Sequence, residues 1–312
     1  MPTDLEIAEQ HCPHLVLYPE ISSPERAKRK NWRKLNEAPL KEDYHPRSVK
    51  LILDNSETRD DGGLTIFPRT HNTDRDGFWR RYAEIDKQAY PHTTYAKIVR
   101  RDDLTAIEYW LAYPYNDWRS THEGDWEVVM VFLRNGAPIA CAYSAHHGGY
   151  RLPWSLVETD GTHPIAYVAN GSHANYFFGP KEYPNTAEAF GLTITTGEFP
   201  FTGPFVDFTT SASAEDGELV TPAVELIPSN RSDWVDKWEW LNISGRWGET
   251  ELPGLLRRIP FKGIRFELSR RIWGAPRAIT DPHRQNWDDP FAWADDVCVG
   301  PQFLGSWLKR LR

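Results

Sequence analysis

The chain has 312 residues, of which 40% are hydrophobic and 13% aromatic, and it carries a formal net charge of -8. This composition can supply one sizeable core. The acidic balance argues against a nucleic-acid partner, which needs a basic face. No stretch approaches the ~18 to 20 consecutive apolar residues that span a bilayer, so the sequence predicts no transmembrane segment.

The N-terminal sequence and the cysteines bear on the cellular compartment. MPTDLEIAEQH lacks the basic start and the apolar stretch of a signal peptide, which favours a soluble, cytoplasmic protein. Cys12, Cys141 and Cys298 are scattered and form no C-x-x-C pair, so neither a disulfide framework nor a zinc ribbon is indicated.

The first apolar runs lie between charged stretches. HLVLYPE (14–20) carries the first hydrophobic signal, and SVKLILD (48–54) predicts a strand followed by a turn at DDGG (60–63). Helical periodicity is limited to Phe78–Lys87 and a short piece at Trp234–Trp240. The chain is therefore expected to be poor in helix.

Residues 95–176 are rich in strand signals. Four β-branched and aromatic runs are bounded by Asn, Gly and Pro, and Asn135-Gly136 is typical of a tight hairpin that pairs the second run with the third. This pattern predicts an all-β fold, a two-sheet antiparallel β-sandwich with long decorated loops and a few short helices. The runs are TAIEYWLAYPY, DWEVVMVFL, APIACAYS and HPIAYVAN.

The rest of the chain gives weaker signals. After Phe190 it becomes rich in loops, and Thr209–Glu218 is polar enough to predict a flexible surface loop. No internal repeat or linker divides the sequence. We predict one β-sandwich domain over 1–312, with a charged N-terminal arm at 1–45 and a loop-rich C-terminal extension at 190–312.

The stretch HEGDWEVVMVFL (122–133) places polar residues at the start of an apolar strand. Because side chains alternate along a strand, Asp125 and Glu127 share one face with Val129, while Trp126 and Val128 take the other. Two carboxylates ~6 to 7 Å apart repel each other when partly buried, and a bound cation removes that cost. The alternative is pairing with an arginine such as Arg119 or Arg151.

Further histidines follow strand ends. YSAHHGGY (143–150) ends the hairpin partner, so antiparallel pairing predicts that His146 or His147 lies near Asp125. HPIAYVANGSHANY (163–176) adds His173 in a Gly-Ser-His turn. A lone histidine there is usually structural, but three histidine-bearing strand ends of one small sheet favour a polar cluster.

These motifs resemble the vacuolar protein-sorting-associated (Vps62-like, plant DUF946-type) family. The matching patches cover about half of the chain, and the region after Phe190 matches only at GRWG. The matching patches are YWLAYPYND (109–117), HEGDWE (122–127), SAHHGGY (144–150), HPIAYVANGSHANY (163–176) and GRWGE (245–249), with the opening HLVLYPE and DYHPRSVKLIL.

A more remote resemblance is to necrosis- and ethylene-inducing (NPP1-type) toxin-like proteins, which carry H-x-x-D-W-E and S-x-H-G-G-Y. That resemblance implies a sandwich of cytolysin and lectin type with a divalent cation. The implied ligands are His122, Asp125 and Glu127, with Asn116 or Asp117 in place of a preceding Asp. The chain lacks the secretion signal and paired cysteines of those toxins, which argues against extracellular cytolysis.

The metal and its use stay open at the level of sequence. Mixed oxygen and imidazole donors suit Mg²⁺, Mn²⁺, Ca²⁺, Fe²⁺ or Zn²⁺, and carboxylate-rich coordination favours the hard ions among them. Direct ligation by His146 or His173 moves the preference toward Zn²⁺, Fe²⁺ or Mn²⁺. One hypothesis is a metal-dependent intracellular hydrolase or lyase, in which His146 or His147 is the acid or base and His173 orients the substrate.

Two other hypotheses use the same residues. The ion can bridge to a small-molecule, glycan or lipid head-group ligand seated by aromatic loops, with peripheral membrane contact, or it can be purely structural in a trafficking scaffold. No G-x-S-x-G, P-loop or G-x-G-x-x-G is present, so serine hydrolase, nucleotide and dinucleotide functions have no support.

Overall fold

Strands dominate the fold, which is seen in a computed structural model. The helices are α1 (Asp4–Gln10), α2 (Lys50–Asp54), α3 (Arg75–Ala83), α4 (Gln285–Asp288) and α5 (Pro290–Asp296), with 3-10 helices at Lys87–Ala89, Trp154–Leu156, Arg231–Asp233 and Asp236–Asn242. The structure describes residues 2–18, 44–68, 75–116, 122–145, 148–179, 186–189, 192–199, 203–211, 217–248, 278–280 and 285–296.

Sixteen strands occur in this described part of the chain. In chain order they are β1 (His14–Leu17), β2 (Ser56–Thr58), β3 (Leu64–Ile66), β4 (Thr93–Arg101), β5 (Leu104–Asn116), β6 (His122–Arg134), β7 (Ala137–Ala145), β8 (Gly148–Pro153), β9 (Thr159–Asp160), β10 (His163–Val168), β11 (Asn175–Tyr176), β12 (Thr186–Ala189), β13 (Leu192–Phe199), β14 (Gly203–Ser211), β15 (Glu218–Val220) and β16 (Ala223–Leu226).

Two sheets form the sandwich. The larger has six strands in the order β16-β4-β5-β6-β7-β8, and the smaller has the order β11-β10-β1-β15 with β9 paired to β10. The predicted all-β sandwich is confirmed. Pairing is antiparallel except at β16–β4 and β1–β10, which are parallel. Separate small sheets are made by β2-β3 and by β12-β13-β14.

Strand β6 serves two cores because its alternate residues face opposite sides. Val129, Val131 and Leu133 lie in the core between the two sheets, with Leu15 and Ala166 from the smaller sheet. Residues of opposite parity lie in a second core on the outer side of the large sheet. The predicted alternation is confirmed; the residues of the outer core are Trp126, Val128, Met130 and Phe132.

The β6–β7 hairpin has the turn that its sequence predicts. Asn135 and Gly136 both have positive φ, 49° and 80°, as a two-residue turn between right-twisted strands requires. The strands pair antiparallel from Arg134↔Ala137 to Val129↔Tyr143.

The segment SVKLILD is a helix, and the predicted strand is wrong. Leu51 and Ile52 are buried, and a run of three apolar residues does not distinguish a strand from a short buried helix. The end of α2 is fixed by side chains, because Asn55 Nδ2 donates to Leu51 O at 2.8 Å and Ser56 Oγ donates to Ile52 O at 2.6 Å.

The other local predictions have mixed outcomes. Both predicted helical pieces are helical, at Arg75–Ala83 and, as a 3-10 helix, at Asp236–Asn242. The loop predicted at Thr209–Glu218 is wrong at both ends, because β14 extends to Ser211 and β15 begins at Glu218. Within the predicted 1–45 arm, α1 and β1 pack as part of the sandwich.

Aromatic residues from the C-terminal third cover the outer face of the large sheet. Trp126 stacks on Trp240 with ring centroids 5.6 Å apart, and Trp247 meets Trp126 edge-on at 5.3 Å. Arg101 pairs with Asp289 at 2.8 Å, which fastens the segment of α4 and α5 to β4. No helix in the described ranges is long and apolar enough to cross a membrane.

The GRWG segment is wedged against the start of β6. Gly124 has φ 64°, and a Cβ built there lies inside van der Waals contact of the Trp247 carbonyl oxygen and 3.5 Å from Ile66 Cδ1. The neighbouring Glu123 accepts a hydrogen bond from Ile66 N at 2.9 Å. Hairpin β2–β3, residue Trp247 and the start of β6 are thereby held together.

Glu108 is a fully buried carboxyl group in the outer core. Burial raises its pKa to about 8, although the nearby Lys97 ammonium and the Trp110 indole N–H oppose this shift. Lys97 Nζ lies 3.3 Å from Glu108 Oε1 and donates to Trp287 O. Glu108 therefore binds a proton more tightly in the folded state than in the unfolded state.

This pKa shift predicts a pH-dependent stability. A raised carboxyl pKa gives stability that is present below ~4.5 and lost as the pH rises to ~8. In urea unfolding, we expect Glu108→Gln to gain about 2 to 4 kcal/mol relative to wild type between pH 5 and pH 9. A stability difference that is constant over this range would contradict the assignment.

Candidate functional site

The β5–β6 register places the two carboxylates of HEGDWE. Asp125 lies opposite Tyr113 and Glu127 opposite Leu111, so both face the core between the sheets, as the sequence predicts. Both residues are buried. Arg151 does not clamp them, because its guanidinium lies 5.1 Å from the ring centroid of Phe132, in the outer core.

Asp125 is surrounded by hydrogen-bond donors. Its Oδ2 accepts from Asn116 Nδ2 at 2.9 Å and is 3.1 Å from His173 Nδ1, and its Oδ1 accepts from Trp126 N at 2.9 Å. Burial alone raises the pKa of Asp125, but the hydrogen bonds from His173 and Asn116 and the nearby imidazoles outweigh it and lower the pKa. Asp125 is therefore a carboxylate at neutral pH.

His173 is held in an unusual position. It has φ 60°, a left-handed backbone conformation that is uncommon for residues other than glycine. Strained backbone conformations of this kind cluster at functional sites. Its ring stacks on Tyr113 at 4.0 Å and 9°. Burial lowers the pKa of His173 more than Asp125 raises it, so the ring is neutral and Nδ1–H donates to Asp125.

Several buried polar atoms of this region lack a hydrogen-bond partner among the described residues. His173 Nε2 is buried without a hydrogen-bond partner in the described ranges of the chain. The same holds for the hydroxyls of Tyr113 and Ser172 and for both amide atoms of Asn175. Buried groups of this kind are nearly always paired with protein, water or ligand.

Glu127 and His122 are tied to their own neighbours. The Ser144 hydroxyl donates to Glu127 Oε2 and accepts from Val128 N at 2.7 Å, which links Glu127 to β7. His122 Nδ1 is 2.7 Å from Gly124 O, so this nitrogen carries the hydrogen. His122 lies opposite Asn116 in the register.

The structure brings together some of the predicted site residues. Asn116, Asp125 and His173 form one hydrogen-bonded group, and His122 lies opposite Asn116 in the β5–β6 register. Asp117, His146 and His147 lie outside the described residues. The expectation that His173 follows a strand of the same sheet is wrong, because β10 belongs to the smaller sheet and His173 meets Asp125 across the sandwich.

Metal binding by the predicted ligands stays a prediction. Within the described ranges, no group of three His, Cys, Asp or Glu side chains is arranged to hold a metal ion. N–H donors occupy both oxygens of Asp125. These donors stabilise the carboxylate form of Asp125.

Sequence reasoning missed four members of the cluster. Tyr113, Ser144, Ser172 and Asn175 all lie within motifs that were recognised, but none of them was assigned a role. A usable signal was present for Ser172, which directly precedes His173, and for Asn175, which begins β11 two residues after it. Tyr113 is set by cross-strand register, which becomes known only when β5 is aligned with β6.

Comparisons with known proteins agree with the motif resemblances. No family model matches the chain. The putative vacuolar protein sorting-associated protein TDA6 of Saccharomyces cerevisiae is 25% identical over 247 residues, which covers 69% of this chain and 50% of that protein. Vacuolar protein sorting-associated protein 62 of the same yeast is 26% identical over 163 residues, covering 45% and 33%. The chain thus spans half or less of these relatives.

Solved structures of toxin-like proteins also match, with low TM-scores that carry no functional argument. NLPPya in complex with glucosamine is 18% identical with TM-score 0.29, over 55% of this chain and 65% of that one. Necrosis and ethylene inducing protein 2 from the causal agent of cocoa's witches broom disease is 15% identical with TM-score 0.29, over 57% and 69%. The chain is thus similar to vacuolar protein sorting-associated proteins of the Vps62 type, as its motifs predicted, with necrosis-inducing proteins among its structural neighbours.

Proposed function

We propose that the chain is a ligand-binding β-sandwich protein of vacuolar trafficking, and that the cluster around Asp125 and His173 binds the polar head group of a glycan or lipid. The observation that carries the proposal is the buried Nε2 of His173, which has no partner within the described ranges. The His173 backbone is held at φ 60°, which costs about 1 to 3 kcal/mol and persists only where surrounding contacts impose it.

The chemistry of the cluster fits a polar, hydroxyl-bearing ligand. Because Nδ1–H of His173 donates to Asp125, Nε2 presents a lone pair that accepts a hydrogen bond. The hydroxyls of Tyr113 and Ser172 and the amide of Asn175 add neutral donors and acceptors. A small number of placed polar groups against apolar walls is typical of small-molecule sites.

The trafficking part of the proposal draws on the names of the yeast relatives, both of which are called vacuolar protein sorting-associated. Since this chain spans half or less of each, the role of the whole relative is carried over only as a proposal. The cytoplasmic location and the peripheral membrane contact that the sequence predicts belong to the same proposal.

A second candidate is a metal-dependent hydrolase or lyase, which the Asp125–His173 pair favours. A carboxylate that fixes the tautomer of a histidine leaves Nε2 able to accept a proton from a substrate hydroxyl or a water molecule. The divalent ion, whether Mg²⁺, Mn²⁺, Ca²⁺, Zn²⁺ or Fe²⁺, stays a prediction of the sequence. Metal analysis of the purified protein beside His122→Ala tests it.

The binding proposal is tested with His173→Asn. Asparagine tolerates positive φ and can still donate to Asp125, but it lacks Nε2. We expect wild type to bind phosphatidylcholine vesicles that carry either a glycosphingolipid or phosphatidylinositol, and His173→Asn to bind them at least ~10-fold more weakly.

His92→Asn is the matched control, because His92 bonds to Pro46 O at 2.7 Å in a different part of the protein. It should bind like wild type. Equal binding by His173→Asn and wild type, or no binding by wild type to either vesicle, contradicts the proposal. Turnover of a lipid or glycan ester by wild type, lost in His173→Asn, would instead favour the enzyme.

A further inference from the structure

Three histidines meet where the N-terminal segment packs on the β9–β10 hairpin. His11 is the C-cap of α1, His14 begins β1 and His163 begins β10. The rings of His14 and His163 stack with centroids 4.4 Å apart and planes 12° apart. His11 and His14 are buried, and His163 is half-buried.

Hydrogen bonds fix the tautomer of two of these rings. His11 Nδ1 donates to Thr162 O at 3.3 Å, and His163 Nδ1 donates to Cys12 O at 2.8 Å. Carbonyl oxygens only accept, so the ring hydrogen of each lies on Nδ1 in the neutral form. His14 Nδ1 is buried with no hydrogen-bond partner in the described part, and lies 3.7 Å from Asp160 Oδ2.

The surroundings offer little compensation for added positive charge. Asp160 is the carboxylate that acts on His14, and its side chain is 68% exposed. The other charged groups on the packed elements have other partners. Asp4 pairs with Arg100, Glu158 accepts from Tyr167 Oη, Glu225 pairs with Lys237, and Glu9 and Glu218 are exposed.

We propose that His11, His14 and His163 form an acid-sensitive latch that holds residues 2–18 against the sandwich near neutral pH and releases them on acidification. β1 is an interior strand between β10 and β15, so the latch controls a central member of its sheet. β10 leads directly into the turn that carries His173. Release therefore removes support from the strand that ends at the candidate site.

The direction of the pH effect follows from the buried rings. Burial lowers the pKa of His11 and of His14, and the charge of His163 lowers both further; Asp160 partly raises that of His14. A lowered histidine pKa means that the unfolded segment binds protons more tightly. The stabilisation is present above ~6.5 and is lost as the pH falls below that value.

Backbone hydrogen exchange of the full chain at pH 7.5 and pH 5.0, corrected for the intrinsic pH dependence of exchange, tests the latch. We expect protection at residues 14–17 to fall about 10-fold or more in wild type, because the histidines of the released segment take up protons at pH 5.0 and this favours the open state. Protection at residues 129–131 in β6 should stay within about 2-fold, since local opening leaves the large sheet intact.

Two variants shift the response in opposite directions. His14→Phe keeps an aromatic ring in the stack and removes one group that can be protonated; no hydrogen bond of His14 Nδ1 is lost, because that atom makes none in the described part. The loss of protection between pH 7.5 and pH 5.0 should therefore be at least ~3-fold smaller than in wild type. Asp160→Asn removes the carboxylate that compensates positive charge on His14, so the loss of protection on acidification should be at least ~3-fold larger than in wild type.

Four results overturn the proposal. They are unchanged protection of residues 14–17 in wild type, a response of His14→Phe equal to that of wild type, a response of Asp160→Asn equal to that of wild type, and a uniform loss of protection over both sheets. If His14→Phe does not fold at pH 7.5, the comparison of Asp160→Asn with wild type decides alone.

Discussion

Gly124→Ala is expected to lower the free energy of unfolding by about 3 to 5 kcal/mol, measured by urea denaturation at pH 7. The substitution imposes two costs. Alanine is strained at φ 64°, and its Cβ would overlap the Trp247 carbonyl oxygen, which is backbone and cannot rotate away. Relief of that overlap moves the GRWG segment or the start of β6.

Gly136→Ala separates these two costs. Gly136 has φ 80° in the β6–β7 turn, and nothing lies within 4 Å of a Cβ built there. It shares the unfavourable backbone conformation but has no steric overlap, so it should cost about 1 to 2 kcal/mol. Equal losses of unfolding free energy in the two variants would mean that the close contact between Trp247 and β6 adds nothing to the cost of the backbone conformation.

Asp125→Ala is expected to cost about 3 to 5 kcal/mol in the same measurement. The change leaves the buried Nδ1–H of His173 without its acceptor, and a buried donor without an acceptor costs about 1 to 3 kcal/mol. It also removes one acceptor of Asn116 Nδ2, which keeps Ser172 O at 3.4 Å, and the acceptor that Asp125 Oδ1 offers to Trp126 N. The Asp125–His173 hydrogen bond that is lost also helps to hold His173 in its left-handed backbone conformation.

Asp60→Ala is the matched control for that change, because Asp60 is exposed in the turn between β2 and β3. Its effect should stay within about 0.5 kcal/mol. A loss below ~1 kcal/mol in Asp125→Ala would show that the cluster relaxes easily, and the proposed pre-formed binding site would lose its physical basis.

Local patterns in the sequence predicted much of the large sheet. The alternation along residues 125–133 and the Asn135-Gly136 turn are short-range signals, and each agrees with the structure. SVKLILD failed because its apolar run is too short to carry a period, and its helix is fixed by Asn55, Ser56 and packing.

The candidate site was predictable only in part. Asp125 and Glu127 share a face because of strand geometry, and His173 was singled out as a histidine beyond a strand end. The bond between His173 and Asp125 depends on the stacking of two sheets and on a left-handed backbone at His173, neither of which a pairing argument within one sheet can supply. The cation that the paired acids predict stays a prediction, and the N–H donors around Asp125 are a further feature that no local pattern in the sequence indicates.

The position of β1 has a consequence for how the chain folds. Its neighbours β10 and β15 come from residues 163–168 and 218–220, so both pairings join positions about 150 to 200 apart in sequence. At a synthesis rate of about 5 to 20 residues per second, β1 waits roughly 10 to 40 s on the ribosome before its second partner exists. Until β10 is made, the apolar residues of β1 have no sheet to join, and until β15 is made one edge of β1 stays without its strand partner.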